Sequence, residues 1–208
     1  MILLARIVTA DLEGLAAAAD VVKRGGVICY PTDTVYGLGC DPLNAAAIEK
    51  VIQAKGRGVR AMPVLVHRME DAEKLAIFSQ TAKKVAEKFW PGPLSIVLPA
   101  KQIVPSVLAP DRTVAVRSPK HVICQQLLTM CSGAVVGTSA NLTGSSPATS
   151  AEEVVRQLGE RIDLVLDGGK SPMSISSTVL DLTKSRLEIL REGPIDKREI
   201  LRALRNSG

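Results

Sequence analysis

The chain has 208 residues and a formal net charge of +5; 46% of its residues are apolar, 23% charged and 2% aromatic. This length carries one large domain or two small ones with a sizeable core, and the polarity is ordinary for a globular protein. The sparse aromatics call for an aliphatic core and argue against a single-strand nucleic-acid surface of stacked rings, and the modest positive charge is compatible with phosphate-bearing ligands or RNA without requiring either.

The opening run MILLARIVT is too short for a signal peptide, and no stretch approaches the ~20 apolar residues of a membrane span. A cytoplasmic protein with no membrane partner is expected. Asp11 caps a predicted helix that runs to about Lys23 and stops at Gly25-Gly26. GVICY reads as a buried strand and leads into PTDTVYGLGC, a loop rich in Pro, Thr and Gly. PLNAAAIEKVIQAK is a helix that starts near Asn44 and ends at Gly56. MPVLVH is a short strand, followed by helices over 70–76 and 79–89, the second capped by Ser79. PGPLSIVLPA and RTVAVRSP are strands, a helix covers 120–131, and AVVGTSA is a buried strand. NLTGSSPATS is a polar loop before a helix that begins at Ser150 or Ala151. DLVLDGG, SSTVLDLT and RLEILREG are strands, the last two hairpinned across Lys184-Ser185, and Asp196 caps a basic C-terminal helix. The order predicts one α/β domain built on a mixed, twisted open sheet with flanking helices.

Four cysteines (Cys29, Cys40, Cys124, Cys131) show no CxxC spacing, and the two histidines, His67 and His121, lie far apart. This argues against a structural zinc site and for reduced, buried thiols. In AKGRGVRAMP, residues 54–63, three cations (Lys55, Arg57, Arg60) stand among small residues. The segment lacks the glycines and hydroxyl of a Walker A loop, so it is either a solvated basic loop or a set of separate phosphate ligands. Polar groups recur at strand ends: Thr32 and Thr34; Arg117; Ser139 and Asn141; Ser176, Ser177 and Thr178; Arg191. Each alone also fits a turn or a structural ion pair. Asp33 and Asp41 are candidate metal-bridging carboxylates or turn caps. No GxSxG elbow occurs. Cations and hydroxyls without a nucleophile–base pair suit phosphoryl or nucleotidyl chemistry, where positioning and charge stabilisation dominate.

The segments YPTDTVYGLGCDP, KGR, FWPGPLSIVL, VAVRSPKH, GTSANLTG, SSTVLDL and ILREGPI stand in the order and approximate spacing of the YrdC-like threonylcarbamoyl-AMP synthases. The chain resembles that family over about residues 10–195. The resemblance implies a single domain over 1–208, folded around a large basic cavity. It implies a nucleotidyltransferase that makes threonylcarbamoyl-AMP and pyrophosphate from L-threonine, bicarbonate or CO2, and ATP with Mg²⁺. A partner complex then passes the threonylcarbamoyl group to tRNA. Binding of tRNA or double-stranded RNA is also implied, and an RNA-binding relative with altered or no synthase activity is the alternative. By the same resemblance Lys55 and Arg57 are the catalytic cations. Thr34, His67, Arg117, Ser139 and Ser177 match threonine-binding positions, with His67 as a hydrogen-bond donor rather than a base. Lys55, Arg57, Thr113, Asn141, Thr149 and Arg191 match nucleotide-binding positions, and no protein side chain is assigned to the metal. The chain departs from the pattern at Gly58, which stands in place of a proline, and at Arg60 in an interval one residue longer than usual.

Overall fold

Short polar side chains set where most helices begin. Asp11 accepts from Gly14 N at 2.9 Å and opens α1 (Leu12–Lys23). Asn44 accepts from Ala47 N and opens α2 (Ala45–Lys55), which stops at Gly56 with φ +78°, a left-handed terminator that glycine tolerates. After α3 (Met69–Leu75), Ser79 opens α4 (Gln80–Phe89), His121 opens α5 (Val122–Met130) and Ser150 opens α6 (Ala151–Leu158). Asp196 accepts from the Arg198 and Glu199 amides at the start of α7 (Lys197–Arg205). The computed structural model describes residues 5–56, 62–173, 175–184 and 186–205.

The strands are β1 (Arg6–Thr9), β2 (Ile28–Tyr30), β3 (Gly37–Gly39), β4 (Val64–Val66), β5 (Leu94–Pro99) and β6 (Thr113–Arg117), then β7 (Ala134–Val136), β8 (Thr138–Ser139), β9 (Leu164–Asp167), β10 (Thr178–Asp181) and β11 (Glu188–Arg191). The mixed α/β class stands, but the strands divide between two sheets rather than one. The first has the order β1-β9-β2-β3-β8 and the second β11-β10-β5-β6-β4-β7. Both contain parallel and antiparallel pairs. The segment predicted as one buried strand, AVVGTSA, joins them: β7 pairs with β4 in one sheet, and β8 pairs with β3 in the other. Gly137 is the crossing point. Its amide donates to Pro63 O at 2.7 Å, and a Cβ there would sit 2.4 Å from the Leu65 side chain.

Two strands were not expected. Gly37–Gly39 lies in a segment that reads as a loop because glycine is a poor strand former. Close packing explains the composition. A Cβ on Gly39 would lie 1.7 Å from Val136 O, and one on Gly37 would meet the Tyr30 ring at 2.9 Å. Tyr30 is fully buried and spends its hydroxyl on that same Val136 carbonyl at 2.7 Å. β1 is an exposed edge strand whose register, Arg6 opposite Leu164, is set by β9 alone. The core is aliphatic, as the composition demands.

Gly39→Ala should therefore destabilise by about 3 kcal/mol or more through backbone overlap. Gly144→Ala, at φ +90° in open space, should cost only the about 1–2 kcal/mol of a left-handed backbone. Urea unfolding of the two variants checks this ordering; equal losses would contradict it.

Candidate active site

Five of the predicted site residues, Thr34, Arg117, Ser139, Ser177 and Arg191, line one cavity of about 500 Å³ that opens to solvent. Arg117 ends β6 and is buried. Its Nε donates to Gly92 O at 2.9 Å, Nη1 donates to Thr34 Oγ1 at 3.1 Å, and Nη2 donates to Asp33 Oδ1. Three of its five N–H groups are thus spent on protein. Asp33 caps no turn: it is the buried counter-ion of Arg117, and its Oδ2 has no hydrogen-bond partner among the described residues. Asp41 is the turn cap, accepting from Leu43 N at 2.8 Å.

Arg191 ends β11 and reaches back over the start of β10. Its Nε donates to Ser177 O at 2.9 Å and Nη2 donates to Ser177 Oγ at 3.0 Å. Burial lowers its pKa, and the nearby Arg117 charge lowers it further. Asp33 pairs with only one of these two cations, so the site gains from an anion. Among the described residues, the cavity lining carries both arginines and several hydroxyls, and no carboxylate.

Lys55 does not stand free in this space. The last residue of α2 is buried, and its Nζ donates to Ser139 O at 2.6 Å, Asn141 O at 3.2 Å and Asn141 Oδ1 at 3.4 Å. Thr143 N donates to Lys55 O at 2.9 Å. The lysine clamps the 139–143 loop, and Asn141 completes the turn by donating to Leu142 O and Ser145 O. Burial pushes the Lys55 amine down to about 8. Arg57, Gly58 and Arg60 lie outside the described residues.

The remaining predicted residues sit elsewhere. Thr113 lines an adjoining, more apolar cavity of about 1050 Å³, open to solvent, that shares Pro63 and Arg191 with the first. Thr149 bonds to Glu153 through both its amide and its hydroxyl. His67 is outside the cavity lining, with Nδ1 2.7 Å from Gln125 Oε1. Gln125 Nε2 donates to Pro119 O at 2.7 Å, which fixes the amide orientation, so His67 donates through Nδ1. The expected donor thus serves Gln125 through Nδ1. Sequence reasoning missed Tyr36 and Ser95, which also line the cavity. Tyr36 donates to Gly169 O at 2.7 Å and so ties the loop after β9 to the site. Neither residue type carries a chemical signature that a sequence reading picks out.

Residues 20–193 match the Sua5/YciO/YrdC family model, described as "Telomere recombination". The chain belongs to this family. A Pyrococcus abyssi protein named threonylcarbamoyl-AMP synthase is 37% identical over 187 residues, which are 88% of this chain and 55% of the relative. A Thiobacillus denitrificans protein of the same name is 38% identical over 169 residues, 80% of this chain and 89% of the relative. The crystal structure of P. abyssi Sua5 complexed with L-threonine matches with a TM-score of 0.90 at 34% identity, over 96% of this chain and 60% of that one. The chain spans about half the length of the P. abyssi relative. Within this family fold, no helix among the described residues is long and apolar enough to cross a membrane.

Two outcomes follow from the buried charges. Arg117→Met strands the Asp33 carboxylate and should cost about 3–5 kcal/mol; adding Asp33→Asn should recover much of that loss in urea unfolding, and a purely additive double variant would contradict the pairing. For Lys55, the unfolded amine titrates near 10.5 and the folded one near 8. Between those values the unfolded chain binds the extra proton at this site, so Lys55 contributes stability that rises with pH across that window, while the buried thiols act in the opposite sense above about 9. Stability should therefore fall more steeply with pH in Lys55→Met than in the wild type; identical slopes would contradict the burial of a protonated amine.

Proposed function

We propose that this chain is an L-threonylcarbamoyladenylate synthase: a nucleotidyltransferase that converts L-threonine, bicarbonate or CO2, and ATP into threonylcarbamoyl-AMP and pyrophosphate. The convergence of Thr34, Arg117, Ser139, Ser177 and Arg191 on one cavity carries the reading, and the names of the relatives support it. In this scheme the threonine amine adds to CO2 and loses a proton to give a carbamate, with one water released when bicarbonate is the source, and a carbamate oxygen attacks the α-phosphorus as pyrophosphate leaves. No protein nucleophile is required. The thiols are poor candidates in any case: burial raises Cys29 and Cys124, and pushes Cys40 and Cys131 up to about 12.

The N–H groups of Arg117 not used by protein receive the threonine carboxylate, beside Ser177. Ser139 contacts the threonine; the His67 ring, held by Gln125 outside the cavity lining, is assigned no contact with it. Arg191, Thr113, Asn141 and Thr149 border the nucleotide. Arg57 stabilises charge on the phosphates, while Lys55 contributes its positive charge and holds Asn141 in place. Mg²⁺ comes in bound to the ATP phosphates. Among the described residues no group of three His, Cys, Asp or Glu side chains could hold an ion, so no step is assigned to a protein-bound metal. The product goes to tRNA through a separate transfer complex, in the cytoplasm.

A pyrophosphate-release assay with each reactant omitted in turn tests this. Release should require threonine, bicarbonate and ATP-Mg²⁺ together. Equal release with alanine in place of threonine, or without any amino acid, would overturn the reading.

A further inference from the structure

Counting protons in the cavity wall shows which way its hydroxyls point. Thr32 Oγ1 lies 2.6 Å from the Val35 carbonyl oxygen, which has no hydrogen to give, so Thr32 donates there. That uses its only hydroxyl proton. In the 3.0 Å contact between Thr32 Oγ1 and Thr34 Oγ1, Thr34 must therefore be the donor. Thr32 also accepts from Thr34 N at 3.1 Å, which fills its second lone pair. Thr34 Oγ1 then has its proton committed to Thr32 and one lone pair taken by Arg117 Nη1. One lone pair is left on a residue that lines the cavity. Toward a ligand, the Thr34 hydroxyl can only accept.

The other hydroxyl pair has the opposite outcome. Ser95 Oγ and Ser177 Oγ are 2.9 Å apart. Ser95 stands in the cavity wall but is 0% exposed, and Ser177 is the hydrogen-bond partner of its hydroxyl among the described residues. Donation by Ser177 would strand the Ser95 proton in the core. Ser95 is therefore the donor. With Arg191 Nη2 donating as well, both lone pairs of Ser177 are filled. Its proton remains. Toward a ligand, the Ser177 hydroxyl can only donate.

We propose that Thr32 and Ser95 are positioning residues that lock this polarity, and that the polarity selects the substrate: an N–H or O–H of the amino acid meets Thr34, and its carboxylate meets Ser177 and Arg117. The proposal rests on the threonine reading above. Arginines alone hold many anions. A fixed acceptor beside them rejects a ligand without a donor at that point, because a buried lone pair is then left unpaired.

The test is threonine affinity by titration calorimetry, with KM values for threonine and ATP from pyrophosphate release and thermal melts of every variant. Thr32→Val releases the Thr34 proton toward the ligand and should weaken threonine about tenfold, the worth of one hydrogen bond, with KM for ATP unchanged. Thr32→Ser keeps the oxygen and should restore wild-type affinity. Ser95→Ala, a milder change should Thr32→Val not fold, should also weaken threonine and spare ATP. O-methylthreonine and the N-trimethyl betaine of threonine locate the donor. The analogue lacking the group that faces Thr34 should bind wild type and Thr32→Val alike, and the other should keep the tenfold difference. Wild-type threonine affinity in the folded variants, an equal loss toward threonine and ATP, or a full Thr32→Val penalty with both analogues overturns the proposal. A wild-type protein that binds no threonine overturns the threonine reading, and this proposal with it.

Discussion

The buried guanidinium of Arg117 is the joint on which the site depends. An arginine taken out of water must be paired and hydrogen-bonded or it opposes folding. Here Asp33 and Thr34 come from the loop after β2, in one sheet, while Arg117 ends β6 in the other and Gly92 lies in the turn just before its strand β5. The ion pair therefore fixes one sheet relative to the other at the place where the cavity opens. It also sets the charge of that cavity. Asp33 offsets Arg117, so Arg191 supplies the unbalanced cation of the described wall.

Lys55 shows how the same residue type can serve two ends. Its ammonium is largely desolvated and bonded to three carbonyl oxygens, and this places the Ser139–Asn141 loop at the cavity edge. The charge is held in a region of low dielectric, where it counts for more than it would in water. The hydroxyl pairs extend this economy, since each one settles a local backbone or side-chain demand and in doing so orients a neighbour.

Much of this was legible in the sequence. Asp11, Asn44, Ser79, Ser150 and Asp196 each begin a helix where capping chemistry places it. The hairpin of β10 and β11 follows from its polar break. Thr34, Arg117, Ser139, Ser177 and Arg191, polar residues at strand ends that match site positions of the family, share a cavity. What was hidden depends on long-range contact. The Gly37–Gly39 strand exists because Tyr30 and the Val136 carbonyl exclude side chains there, which no local propensity encodes. The split into two sheets turns on Gly137. That Asp33 pairs with a residue 84 positions away, or that His67 spends its proton on Gln125, follows only from the folded geometry.

The account stands most directly on where threonine sits. A crystal structure of this chain with L-threonine should show its carboxylate within hydrogen-bonding distance of Arg117 and Ser177, with the Arg117–Asp33 pair intact. Threonine bound outside this cavity, or an Arg117 side chain that leaves Asp33 to reach it, would contradict the account.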